Sequence, residues 1–113
     1  MASSLIKWNN PNHKPAPSWA VLFSLERNPH RPGYDEMDEK TLDAVRSIPG
    51  FLGYESVYNG DRGIFISYWE HKEGIETWAR NDLHKEAKRM GTSWYLRYIS
   101  AVTRIEHWQD HGY

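Results

Sequence analysis

The alternation of apolar and polar positions marks four strands and two helical regions. In residues 19–26 (WAVLFSLE), Trp19, Val21, Phe23 and Leu25 fall on one face of a strand, and Ala20, Leu22, Ser24 and Glu26 on the other. Two prolines and a glycine punctuate the loop at 28–33. A helix is expected from near Asp35. Acidic residues load its first turns, Arg46 lies near its end, and Met37, Thr41, Ala44, Val45 and Ile48 recur at helical spacing until Pro49-Gly50 stops it. Residues 51–58 (FLGYESVY) read as a second strand, with Gly53 leaving room for a bulge or a close neighbour. The run Asn59-Gly60-Asp61-Arg62-Gly63 suits a hairpin turn, so residues 64–69 return antiparallel as a third strand. Residues 72–80 are helical, with Ile75, Trp78 and Ala79 inward. Asn81-Asp82 then stops and restarts the helix, Asp82 serving as cap for a segment running to about Met90. A last strand covers 95–106, where Leu96, Tyr98, Ser100, Val102 and Arg104 oppose Ile99, Ala101, Thr103 and Ile105.

The order βαββαβ is the ferredoxin-like α+β arrangement: a four-stranded antiparallel sheet with helices on one face. Two helices cover only one side of such a sheet. Yet the third strand carries Ile64, Ile66 and Tyr68 on one face and Phe65 and Trp69 on the other. Contiguous apolar surface of this kind marks an interface, and packing against the sheet of an identical subunit is the economical cover. A homodimer is expected. The domain spans 19–108, between an extended N-terminal arm at 1–18, in which Trp8 is the reason to expect packing, and a short tail at 109–113.

Charge and composition narrow the partners. With 113 residues the chain makes one domain, and 15 acidic against 14 basic side chains leave a net charge of -1, which does not fit a polyanion-binding surface. No apolar run is long enough to span a membrane, and the N-terminus lacks the apolar core of a secretory signal. Absence of cysteine excludes disulfides, thiolate metal sites and cysteine nucleophiles, and is compatible with a reducing cytoplasm. The 6 Trp, 7 Tyr and 3 Phe are unusual for this size; such rings fill cores and interfaces and line pockets for hydrophobic or aromatic molecules. No phosphate loop, serine elbow or nucleotide fingerprint occurs. His107 and His111 have a spacing that binds metal on a helix, but a tail after a long strand is not expected to be helical, and no metal site is assigned. His13 and His30 fall in Pro-rich loops and are expected to be solvated, and the charge run 35–40 to be an exposed helix face.

Three blocks carry a resemblance. PGFLGYES opens the second strand. GIFISYWE is followed by a helix that brings Trp78 after Trp69. His84-x-x-Ala87 leads to Gly91 and the final strand. With GYDEM at the first helix, they cover most of 19–106 in order and spacing. In these blocks the chain resembles the antibiotic biosynthesis monooxygenase superfamily of dimeric α+β barrels. The resemblance implies a cofactor-independent oxygenase, in which a phenolic or enol substrate bound between sheet and helices loses a proton and reacts with dioxygen. Such chemistry needs a base, a donor for the developing oxyanion and an apolar wall. On this reading His84 is the base, Tyr68, Tyr98, Arg104 or Trp78 donates to oxygen, and Trp69 and Trp94 form the wall. Strand alternation leaves a dimer-interface role for Trp69 as a rival.

A haem-degrading branch of the same superfamily makes a sharper demand. Its axial histidine would fall near Lys88, and its strand asparagine near Glu26, with Asn28 close by. Lysine is a poor haem ligand because it is protonated near neutral pH. That reading ranks below cofactor-independent oxidation and below a non-catalytic, small-ligand-binding or stress-associated protein on the same fold. No cofactor is expected.

Overall fold

The computed structural model describes residues 4–112; the first three residues of the expected arm, and Tyr113 of the tail, lie outside the described residues. The elements are β1 (Lys7–Trp8), β2 (Trp19–Arg27), α1 (Tyr34–Val45), β3 (Phe51–Asn59), β4 (Arg62–Trp69), α2 (Lys72–Ala79), α3 (Asp82–Arg89), α4 (Gly91–Trp94) and β5 (Tyr95–Arg104). All pairings are antiparallel, in the order β1-β3-β4-β2-β5. Without β1 this is the expected ferredoxin-like sheet. The fifth strand comes from the N-terminal arm, which pairs Lys7 with Tyr54 and Trp8 with Gly53. Gly53 serves both purposes its type suggested. The β3 register shifts between Phe51 and Gly53, and a Cβ there would lie 2.5 Å from the Lys7 carbonyl oxygen.

Local boundaries differ from the sequence pattern in small ways. Helix α1 opens on Gly33, whose φ of 82° suits a residue without Cβ, and begins at Tyr34. Helix α3 is capped by Asn81 rather than Asp82. Asn81 is extended (φ -65°, ψ 133°), and its Oδ1 accepts from the backbone N–H of Leu83 and of His84, leaving Asp82 as the first-turn acid. Strand β5 ends at Arg104, and residues 105–112 form no helix, so His107 and His111 do not share a helix face.

Register divides the side chains cleanly. Trp19, Val21, Phe23 and Leu25 of β2 lie opposite Trp69, Ser67, Phe65 and Gly63 of β4, and face the helices. There Val45, Phe51 and Trp69 make the inner core, with Trp19, Ile75 and Trp78 packed against them. Trp69 is 1% exposed, meets Phe51 edge to face at 5.2 Å, and donates from Nε1 to Ser67 Oγ at 2.9 Å.

The outer face has its own small core. Ile6, Ala20, Leu52 and Tyr68 are buried there, under Trp8 from the arm and Ile105 and Trp108 from the segment after β5. The arm is held further by Asn9, whose amide donates to the Arg46 carbonyl, and by His13 against Glu70. His13 is thus paired rather than simply solvated. Beyond this cover, Val57, Ile64 and Ile99 form a cross-sheet row through Ser24, and remain exposed beside Leu22. Among the described residues, no helix is long and apolar enough to cross a membrane.

Candidate active site

A cavity of about 400 Å³ lies between the sheet and helices α1, α2 and α3. Its walls are chiefly apolar, built from Val21, Phe23 and Leu25 of β2 and Phe51, Phe65 and Trp69 of the neighbouring strands. A few polar groups converge on this lining, as in most small-molecule sites.

One of them is His84. The Asn81 cap fixes the first turn of α3 and turns the imidazole inward, where it lies against the Trp78 indole with ring centroids 4.8 Å apart and planes inclined by 35°. Its Nδ1 is buried and accepts or donates no hydrogen bond among the described residues. Burial, and then the positive charge of Lys88 one turn on, lower its pKa from the usual imidazole value, so the ring is held neutral. A neutral imidazole on the lining of an apolar cavity is able to take up a proton.

The other residues singled out in the sequence divide between this cavity and other places. Trp69, Trp78 and Tyr98 line it with His84. Tyr68 lies on the outer face, because neighbours on a strand point to opposite sides, and its hydroxyl donates to Glu55 at 3.1 Å. Trp94 is buried outside the lining, where its Nε1 donates to the Pro32 carbonyl at 2.9 Å and its ring props Tyr34 edge to face at 5.7 Å. Arg104 is exposed at the end of β5, opposite Trp19, and does not reach the lining.

Three further residues border the cavity: Tyr34 at the start of α1, Tyr58 near the end of β3 and Tyr95 at the start of β5. The topology gathers them at the β3–β4 hairpin end of the sheet. Tyr58 lies opposite Gly63, Gly63 opposite Leu25, and Arg27 opposite Tyr95 across a bulge. Tyr34 and Tyr95 meet edge to face at 5.9 Å. Gly63 has no side chain to obstruct Tyr58, whose ring occupies the space a Cβ would take, 2.2 Å away. The Arg27 guanidinium lies over the rings of Tyr58 (4.2 Å) and Tyr34 (5.8 Å), and Arg31, paired to Asp61 at 2.8 Å, lies 5.6 Å from Tyr34. Burial, ahead of other causes, pushes Tyr34 and Tyr95 up to about 12 and raises Tyr58 as well. Asp38 also borders the cavity, its pKa raised by burial and by Asp35, although its segment reads as a solvated charge run.

The residues do not assemble a haem site. Lys88 lines the cavity where an axial histidine is wanted, and Glu26 lies on the outer face between Arg62 and Arg97. Asn28 is engaged with the Ser93 carbonyl and the His30 amide.

Comparison with known proteins agrees with this architecture. Residues 35–90 match the family model of the antibiotic biosynthesis monooxygenases. Over 92 residues the chain is 38% identical to the uncharacterized protein YqjZ of Bacillus subtilis (strain 168), covering 80% of this chain and 81% of that one. SnoaB, a cofactor-independent oxygenase from Streptomyces nogalater, superposes with a TM-score of 0.71 at 7% identity, over 85% of this chain and 100% of that chain. Rv0793 from Mycobacterium tuberculosis superposes at 0.67 and 11% identity, over 83% and 98%. The two structural likenesses speak for the fold. The chain belongs to the antibiotic biosynthesis monooxygenase family.

Proposed function

We propose that this protein is a cofactor-independent monooxygenase that oxidises a small aromatic or hydrophobic substrate with dioxygen. The observation that carries the reading is the neutral His84 imidazole on the lining of an apolar cavity large enough for a ring system. The open volume of about 400 Å³ favours this over a site already filled by its own Trp and Tyr side chains. A substrate with an acidic CH₂ next to an aromatic carbonyl, or a phenol of similar acidity, gives its proton to His84. The resulting carbanion transfers one electron to dioxygen, the radical pair recombines to a peroxide anion, and the His84 imidazolium returns the proton to give the hydroperoxide. Loss of water then leaves a carbonyl: R₂CH₂ + O₂ gives R₂CHOOH, which gives R₂C=O + H₂O. Trp69 and Trp78 exclude water and hold the ring plane, and Tyr98 offers a hydroxyl to the developing oxyanion.

The exposed row of Val57, Ile64 and Ile99, with Leu22 beside it, supports a homodimer in which two sheets pack face to face. The working protein is on this reading a cytoplasmic dimer. Oxygen uptake with anthrone and with hydroquinones tests the activity. Uptake by the native protein that falls by about a hundredfold or more in His84→Ala is expected for loss of a general base. Absence of uptake across these substrates, or uptake unchanged by His84→Ala and Trp78→Phe, overturns the assignment.

A further inference from the structure

Charge on the cavity wall comes from two helices, and it is answered on only one of them. Among the described residues the lining carries one carboxylate, Asp38 of α1, and one ammonium, Lys88 of α3. Asp38 feels the Arg27 guanidinium, and beside it Tyr34 is hydrogen-bonded to Tyr58 and to Tyr95. Lys88 has no such answer. Among the described residues no carboxylate lies within ion-pair distance of it. Glu86, two residues back along α3, lies on a different face and is taken by Arg89 at 3.1 Å. His84 lies one turn before Lys88 on the same face, and the ammonium already acts on it, helping to hold the ring neutral.

We infer that Lys88 is the counter-ion of a monoanionic aromatic ligand, whose ring lies against Trp78 and His84 and whose oxyanion (an enolate, phenolate or carboxylate) accepts from the ammonium. The inference rests on the reading of the cavity as the ligand site, and it names the charge of what enters there. An ammonium without a partner beside an apolar wall attracts an anion and repels a second cation. The neutral imidazole next to it adds no competing charge, so a single negative charge satisfies this part of the wall. A second negative charge on the ligand is disfavoured by Asp38 on the same lining. Lys88 is exposed, and a lysine stem lies along apolar surface while its Nζ stays near water. The ligand is therefore held with its oxyanion towards the mouth and its ring inward. In the proposed oxidation the same contact serves the anion that forms. When His84 takes the proton, the negative charge left on the substrate oxygen develops beside the ammonium.

The test uses two probes of nearly the same shape, β-naphthoate and β-naphthamide, titrated calorimetrically into the whole chain. At about pH 8 the carboxylate is ionised and His84 is neutral, so the imidazole cannot stand in for the ammonium. Native protein is expected to prefer the carboxylate by about tenfold, the value of one charge-assisted hydrogen bond. Lys88→Gln removes the charge at an exposed position; it is expected to abolish the preference and to leave the amide within about twofold. Lys88→Arg keeps the charge and is expected to keep the preference, as is His84→Gln. The inference is overturned if native protein binds neither probe or shows no preference for the carboxylate. It is equally overturned if the preference survives Lys88→Gln, or if Lys88→Arg or His84→Gln abolishes it. Oxygen uptake is scored separately. A carboxylate preference that depends on Lys88 in a protein without uptake sinks the oxygenase reading alone. Uptake with no such preference sinks the counter-ion alone.

Discussion

His84 rests against Trp78 across the junction of α2 and α3, with ring centroids 4.8 Å apart, while its own Nδ1 is left unpaired. The contact explains why the imidazole stays neutral: the indole replaces water on one face, and Lys88 adds a like charge. Activity that needs the neutral ring therefore has an acid limb below the ordinary imidazole pKa of 6.5. In kcat/KM profiles, Lys88→Gln is expected to move that limb to higher pH by removing the repulsion. An unmoved limb would assign it to another group.

The same burial has a consequence for folding. His84 binds a proton more readily unfolded than folded, so stability is expected to decline as pH falls below 6.5, until the folded-state pKa is passed. Urea unfolding between pH 7 and pH 4 should show a slope that is reduced in His84→Gln.

At alkaline pH the sign reverses in origin. Tyr34, Tyr58 and Tyr95 hold their protons above the ordinary value of 10.0, so the unfolded chain loses its phenolic protons first. Stability is expected to fall as pH rises from about 10 towards 12. Tyr34→Phe/Tyr95→Phe should flatten this decline in urea titrations; an unchanged decline would place the responsible groups elsewhere.

The arm and the cavity lie on opposite faces of the sheet, which separates stability from chemistry. Ile6→Ala opens the outer core and is expected to cost about 2 kcal/mol in urea unfolding, with little change in ligand affinity. A large loss of affinity in a variant still folded would show that the two faces are coupled.

A charge in the exposed row should act on assembly alone. Ile64→Asp lies at a site that is 47% exposed in the single chain, so the monomer has room for it, but a sheet-to-sheet interface does not. Sedimentation at micromolar concentration should show the native chain at twice its monomer mass and the variant at monomer mass. Equal masses would remove this row from the interface.

The fold was legible because its signals are local. Strand alternation, the hairpin turn at 59–63 and the Pro49-Gly50 stop each act within a few residues. His84, Trp78 and Trp69 were legible too, since one continuous stretch carries them to the cavity. Tyr34, Tyr58 and Tyr95 were not: they lie in three separate elements, and only the antiparallel order, which puts the end of β3 and the starts of β4 and β5 at one end of the sheet, draws them together. Tyr68 and Trp69 show the opposite case. As neighbours on one strand they cannot serve one cavity, and the alternation that separates them was readable in advance. The fifth strand escaped because two residues, Lys7 and Trp8, carry no periodicity. Only Trp8 hinted at it.

The outer core also brings the N-terminal arm and the segment after β5 onto one patch. Ile6 and Trp8 on one side, and Ile105 and Trp108 on the other, pack on the same patch around Tyr68. A short flexible peptide joining these two segments would therefore close the backbone into a ring without disturbing any element described. Such a ring has fewer unfolded conformations to lose, so linking the two segments should stabilise the domain with the helix-side cavity untouched.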